Sequence, residues 1–493
     1  MNRIVDNLGR QLIDLRNSLY NYLGNVYNGS TTLNINDVSN RLNINSKINI
    51  LNEVKKDELY IECNKCIAIT CTEYITDKEF NRLHDKIKFS EMREPQFISV
   101  VREAVGKAIE KWLGNLELQV KIDSVGKSFE MLLSDITSNG SDLSYSPQDI
   151  VEYMNKKCVE NYFEKFDIDL SKIKSLTVLD PSVGAGAYVV NMIERLYKLR
   201  VELGEQESIQ DTYRDIIRNN IYAIDMEEVA VCFTVCRLYM LVGDVVEHNI
   251  RCGSALMESV ELDGQVVLPI IDTVENAPSH TVWNIFDKLV NSAKSKGDID
   301  SMIEYSIDMQ GLFDNCVDDD EVDEMLDRYL NEMKNKFIWQ RDFKKAYLDG
   351  GFDIIVGNPP YVRCEKIKEP RAYIEKHYDK VFNGSAEIFV YFYNRGYQLL
   401  KENGILGYIT SNKWFKAKYA EKLRNFFKDE TSVIKIVDFK DNRVFSAGVN
   451  TEITFIRKAE PQEDVIYIDA STYSKEIQEE IREVRDEDFD GYF

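Results

Sequence analysis

The stretch Leu176-Thr177-Val178-Leu179-Asp180-Pro181-Ser182-Val183-Gly184-Ala185-Gly186-Ala187-Tyr188 decides how this chain folds. Leu176 to Asp180 is a short apolar run that predicts a buried strand, Pro181 to Ala187 a tight glycine-rich turn, and Tyr188 to Leu199 a helix. Gly184 and Gly186 let a ligand approach the backbone closely beneath a helix N-terminus. The third glycine of the dinucleotide fingerprint is missing, which weakens a nicotinamide reading. Asp180, at the strand end, offers a carboxylate to an ammonium group.

Outward from this turn, strands and helices alternate. Ile221 to Asp225 predicts the next strand, with Asp225 at its end placed to accept two ribose hydroxyls, or merely to cap a helix. A long apolar helix to about Leu241 follows. Phe352 to Val356 predicts a strand ending at Gly357, Ile388 to Leu400 a helix, and Gly404 to Ile409 a further strand. The alternation implies an α/β fold, Rossmann-like, with a mostly parallel twisted sheet and helices on both faces. Residues 258–338 interrupt it as an acidic, mainly helical insertion; from Asp314 to Asp327 there are eight acidic residues and no basic one. Residues 1–120 read as a separate, mainly helical domain. Ile4, Leu8, Leu12, Leu15, Leu19 and Leu23 mark one amphipathic helix, and Phe97 to Leu116 a second. Residues 461–493 read as an acidic tail, or as the start of a recognition or partner-binding segment.

Composition bounds the possibilities. The 493 residues are 44% hydrophobic and 29% charged, enough for more than one large core. No apolar stretch approaches the roughly 20 residues of a membrane span. Nine scattered cysteines suggest reduced thiols and a cytoplasmic setting. Cys63 and Cys66 form a lone C-x-x-C that Cys71 and His84 could extend to a zinc site, but no second close pair follows, and no metal is expected. Glu53-Val54-Lys55, with Asp37 upstream, is a weak match to a nuclease core. The net charge of −23 argues against phosphate binding. Against that, Lys413, Lys416, Lys418, Lys422, Arg424 and Lys428 face Glu421 alone, either as a phosphate-tracking patch or as a solvated helix face.

The strongest chemical signal is Asn358-Pro359-Pro360-Tyr361, directly after a predicted strand. The exocyclic amine of adenine is a poor nucleophile because its lone pair is delocalised into the ring. Two acceptors aimed at its hydrogens, the Asn358 side-chain oxygen and the Pro359 carbonyl, draw the nitrogen toward sp³ geometry. Pro359 and Pro360 in series stiffen that backbone. Tyr361 offers a face to a base removed from its duplex.

With these residues in place, the segment from about Lys127 to Lys458 resembles the adenine-N6 DNA methyltransferases of restriction–modification systems, of the Type IIG and Type I modification-subunit kind. The resemblance implies S-adenosyl-L-methionine as cofactor and double-stranded DNA as substrate. It assigns Tyr145, Ser146 and Pro147 to a motif that closes over the methionine part of the cofactor. Asp180, Ser182, Gly184 and Gly186 fall in the cofactor loop, and Asp225 at the ribose. Ser254, in Cys252-Gly253-Ser254-Ala255-Leu256, stands where the family usually has Asp or Asn against the cofactor's adenine. Ser411 to Trp414 resembles the loop after the catalytic helix. Phe445, with Val444, Val449 and Thr451, resembles the late motif whose aromatic ring stacks on the flipped base. Only 35 residues follow Lys458, too few for a target-recognition domain, so a specificity subunit or a missing C-terminal domain is expected to read the sequence. Methylation of RNA or of protein glutamine, and a non-catalytic scaffold in a defence complex, are the alternatives.

Overall fold

The structure is a computed structural model, and it describes residues 2–27, 53–78, 80–84, 87, 92, 95–114, 116–137, 146–257, 260–262, 265–267, 337, 339–364, 371–440, 444, 449–462, 464–471 and 483–484. Tyr145, Phe445, Asp37 and the acidic run Asp314 to Asp327 lie outside them.

One sheet organises the chain. Its strands are β1 (Val178–Asp180), β2 (Ile221–Asp225), β3 (Asn249–Cys252), β6 (Phe352–Gly357), β7 (Leu400–Ser411), β8 (Ser432–Asp438), β9 (Thr451–Arg457), β10 (Ile466–Asp469) and β11 (Glu483–Val484). The order across the sheet is β11-β10-β8-β9-β7-β6-β1-β2-β3, while β4 (Val260–Leu262) and β5 (Gln265–Val267) pair separately. From β7 to β3 every pairing is parallel, as the alternation of elements requires. β9 runs against both β7 and β8, so the other half is mixed. β10 lies parallel to β8, so residues 466–469, read from sequence as part of a tail, belong to the sheet.

After β1 the chain fills one side of the sheet with β2 and β3, then returns to the other side with β6. The reversal opens a crevice at the carboxyl ends of β1 and β6, the usual ligand position in open α/β sheets. At the opposite end of these strands a buried carboxylate clamps them. Asp353 accepts from the Tyr162 hydroxyl (2.7 Å) and the Thr177 amide (2.8 Å), and pairs with Lys401 (3.0 Å).

Helices α1 (Asn2–Tyr27), α2 (Glu53–Thr76), α3 (Pro95–Leu113) and α4 (Leu118–Thr137) build the N-terminal part. Leu8, Leu12, Leu15 and Leu19 of α1 are buried, as their spacing predicts. The chain then supplies α5 (Gln148–Phe163), α6 (Ala187–Glu202), α7 (Ile209–Asn219) and α8 (Glu228–Val242), followed by α9 (Phe389–Leu399) and α10 (Glu421–Glu430). α8 is apolar on nearly every side because it packs on α2 and α4 as well as on β2 and β3.

Two minor candidates from the sequence take ordinary helical or packed positions. Glu53, Val54 and Lys55 lie in the first turn of a helix, not on a strand as a nuclease core needs. Cys63, Cys66 and Cys71 are buried along α2, and His84 is held by Glu73 (3.0 Å). Among the described residues no group of three His, Cys, Asp or Glu side chains is placed to hold a metal. No described helix is long and apolar enough to cross a membrane.

Candidate active site

The glycine turn between β1 and α6 has the shape its sequence implies. Gly184 and Gly186 have φ of +54° and +81°, backbone that side chains with a Cβ rarely adopt. Gly186 caps α6, which starts at Ala187, so the helix N-terminus opens on the crevice. The Gly184 amide donates to Asp225 Oδ2 (2.9 Å), and the Glu227 amide donates to Oδ1 (3.0 Å). Asp225 therefore ties the loop to the end of β2. Each oxygen still has a second lone pair, so accepting ribose hydroxyls is compatible with this role. Burial, its main cause, pushes the Asp225 carboxyl up to about 6, against the pull of these amides.

Asp180 is 2% exposed. Oδ1 accepts from the Ser182 amide (3.1 Å), and Oδ2 is buried with no hydrogen-bond partner among the described residues. Burial pushes this carboxyl up to about 8; the Ser182 amide lowers it, and the charge of Asp225 raises it further. A buried, unsatisfied carboxylate oxygen costs the protein free energy that a cationic ligand would recover. Asp180 Oδ2 is thus an acceptor of the kind an ammonium group needs, and no side chain projects from Gly184 and Gly186 beside it.

Gly357, which sequence reading noted only as a strand end, is part of the same construction. A Cβ there would stand 2.7 Å from Asp180 Oδ1, so only glycine lets β6 run past the carboxylate. Asn358 follows at the crevice. Its carbonyl accepts from the Ser182 hydroxyl (3.2 Å), and its Nδ2 donates to Ser146 Oγ (3.2 Å). Ser146 is 4% exposed, and its oxygen also accepts from the Tyr188 hydroxyl (3.0 Å). One hydroxyl thus joins the segment before α5, the glycine-loop helix and the Asn-Pro-Pro-Tyr turn. With Nδ2 engaged there, the acceptor of the Asn358 amide is Oδ1. Pro147 is the N-cap residue of α5, and its extended backbone carries Ser146 into the site.

Pro359 is buried and Pro360 half-buried. The Tyr361 hydroxyl donates to the carbonyl of Ile409 in β7 (3.0 Å), and its ring meets Phe389 edge to face at 6.2 Å. Burial drives the Tyr361 phenol well above its ordinary range, so it stays a neutral donor. Glu452 on β9, fully buried, accepts from Tyr393 (3.1 Å), Thr410 and Trp414 Nε1 (2.9 Å); burial pushes it up to about 7. This network fixes Trp414 in the loop that follows β7.

Past β3, the Gly253 amide donates to Asp225 O (2.8 Å), which brings the Ser254 turn beside the end of β2. Ser254 Oγ accepts from the Leu256 amide (3.2 Å) and shapes that turn. Met226, 39% exposed next to Asp225, presents an apolar surface that sequence reading passed over. The basic patch is partly structural. Arg424 donates to the carbonyls of Trp414 (2.7 Å) and Ala417 (3.0 Å), Lys422 to that of Asp379 (3.0 Å), and Lys413 pairs with Glu387 (3.2 Å). Lys416, Lys418 and Lys428 are exposed.

A largely parallel sheet, a glycine loop at its switch point and an Asn-Pro-Pro-Tyr turn on the neighbouring strand define a Rossmann-like methyltransferase fold. Two solved structures share the fold. The DrdV–DNA complex aligns at a TM-score of 0.56 and 13% identity, over 98% of this chain and 45% of that one. A nuclease-deletion mutant of the Type ISP restriction-modification enzyme LlaGI aligns at 0.52 and 14%, over 94% and 35%. Residues 219–445 match the model of the Eco57I restriction-modification methylase family. The type II methyltransferase M.XhoI of Xanthomonas vasicola is 37% identical over 128 residues, 24% of this chain and 22% of that protein. The type II restriction enzyme and methyltransferase RM.Eco57I of Escherichia coli is 36% identical over 99 residues, 19% and 10%. Over these stretches the chain is similar to restriction–modification methylases. The matches span about a fifth of the length of the type II methyltransferases M.XhoI, M.PaeR7I and M.BstVI.

Proposed function

We propose that this chain transfers a methyl group from S-adenosyl-L-methionine to N6 of adenine in double-stranded DNA, as the modification component of a restriction–modification or related phage-defence system. The observation that carries the reading is the shared Ser146 hydroxyl. It receives hydrogens from Tyr188, on the helix behind the glycine loop, and from Asn358, so the two halves of a methyl-transfer site meet at one atom.

When bound, the cofactor supplies an electrophilic methyl group on a sulfonium. Asp180 Oδ2 would accept from its ammonium, Asp225 would accept from its ribose hydroxyls, and the turn at Ser254 would hold its adenine. Asn358 Oδ1 and the Pro359 carbonyl accept the two hydrogens of the target amine, and Pro360 keeps that backbone rigid. Tyr361, anchored through its hydroxyl, presents its ring to a base turned out of the duplex. Positioning for in-line attack then supplies most of the rate. Tyr145 and Phe445 keep the roles the resemblance implies, over the methionine portion and against the flipped base. A specificity subunit, or a recognition domain on a longer polypeptide, reads the target sequence.

The test is transfer of labelled methyl to DNA, RNA and protein in parallel, followed by nucleoside analysis. Label recovered as N6-methyladenine from DNA is expected. Label in RNA or glutamine, or cofactor binding with no transfer even beside a specificity subunit, would overturn the reading.

A further inference from the structure

The glycine loop is supported from behind by α8, and α8 is gripped by the N-terminal helices. We infer that Arg237 on α8 and Glu130 on α4 are a positioning pair through which the N-terminal helices set the shape of the cofactor loop. The inference rests on the cofactor reading above.

Arg237 is 5% exposed, and its Nη1 donates to the carbonyl of Ala185 (2.8 Å), between the two loop glycines. Thr234, one turn earlier on α8, donates to the carbonyl of Gly184 (3.0 Å). Thus α8 holds two successive loop carbonyls. In a trans peptide the N–H points opposite to the C=O. Drawing the Gly184 carbonyl toward α8 therefore aims the Ala185 N–H away from it, to the ligand side. Drawing the Ala185 carbonyl the same way orients the Gly186 N–H, which closes the turn on Val183 O (2.9 Å).

The N-terminal helices enter through α4. Glu130 Oε1 lies 3.5 Å from Arg237 Nη1, the nitrogen that serves Ala185. A Cβ on Gly126 would stand 2.6 Å from Arg237 Nε, so the guanidinium lies flush against the backbone of α4. Leu133 of α4 reaches within 3.9 Å of where a Cβ on Gly184 would be. As a source of stability the pair is poor: one long contact, with Glu130 Oε2 and Arg237 Nε buried and unpartnered among the described residues. Burial pushes the Glu130 carboxyl up to about 8, while Arg237 and Lys127 draw it down. What the arrangement does well is hold a donor at Ala185.

The test compares the full chain with Arg237→Gln and with Glu130→Gln, which is isosteric and keeps the test open if the first variant fails to fold. Calorimetry gives S-adenosylmethionine affinity, and amide exchange without cofactor gives the mobility of residues 183–188. Arg237→Gln should weaken affinity by about tenfold or more and Glu130→Gln by about fivefold. The double variant should bind no more weakly than Arg237→Gln alone, since both act through one loop. Exchange should quicken in the loop and stay unchanged in α1 and β7. Unaltered affinity and exchange in both variants would overturn the inference. So would faster exchange spread evenly through α1, α4 and α8, the mark of a merely structural pair. If the unmodified chain binds no S-adenosylmethionine, the cofactor reading falls by itself, and the exchange measurement still decides whether the pair shapes the loop.

Discussion

Asp180 gives the site a pH signature that can be worked out in advance. Its carboxyl is pushed up to about 8 in the folded chain, whereas an unfolded aspartate titrates near 3.9. Between those values the unfolded state has released a proton that the native state keeps, so native stability falls as pH rises, by about 1.4 kcal/mol per unit. Asp225 adds a similar slope only up to about pH 6, which leaves pH 6 to 8 to Asp180 among the two cofactor-loop carboxylates. A cationic ligand at Oδ2 needs the ionised form. That form makes up about 1% of molecules at pH 6 and about half at pH 8. The ligand's own α-amino group loses about half its charge by pH 8, so affinity for S-adenosylmethionine should rise by about twentyfold to thirtyfold across this window. Calorimetry in two buffers of different ionisation enthalpy should register close to one proton released per cofactor bound near pH 6.5. Asp180→Asn should bind weakly at every pH. Relative to the unmodified chain, it should gain about 2 kcal/mol of stability between pH 6 and pH 8. An affinity independent of pH over this range, or undiminished binding by Asp180→Asn, would refute the role given to Oδ2.

Gly357→Ala places a methyl group against the Asp180 carboxylate and should cost about 1–3 kcal/mol in chemical denaturation, with cofactor affinity falling alongside. Asn358→Ala removes an acceptor used mainly in the transition state. Single-turnover methylation should slow by about a hundredfold, roughly 3 kcal/mol, while cofactor affinity in calorimetry barely moves. Tyr361→Phe loses the bond to the Ile409 carbonyl, which should cost about 1 kcal/mol in thermal unfolding, and should keep most activity. Tyr361→Ala should lose far more turnover than Tyr361→Phe, and equal losses would show that the ring face does not matter.

The parallel half of the sheet was legible because β1, β2 and β6 are short, mostly apolar runs ended by turn residues. β9 was not, since Thr451, Glu452, Thr454 and Arg457 are polar yet buried, and distant partners such as Trp414 for Glu452 and the Asn161 carbonyl for Arg457 are not revealed by any local pattern. The glycine loop and Asn-Pro-Pro-Tyr stood out because backbone geometry and chemistry restrict the residue types locally. The link between Asn358 and Ser146 spans 212 residues, and no spacing rule reaches so far. Gly357 looked like an ordinary strand end, because its constraint comes from a carboxylate on another strand. The basic run stayed open between two readings for the same reason: Lys422 and Arg424 count as charges in a sequence, but in the fold they also donate to backbone carbonyls.

The shared burial of α8 bears on how this polypeptide can be cut for study. Phe129 of α4 stacks on Phe233 at 4.8 Å, Phe80 meets Tyr239 at 5.4 Å, and Lys65 of α2 bonds Glu228 at 2.6 Å. A fragment beginning near residue 146 would retain every described strand yet present a bare apolar helix to water, and it should precipitate or self-associate. The fragment that stays in solution is the one that carries α1 to α4, whatever boundary the motifs suggest.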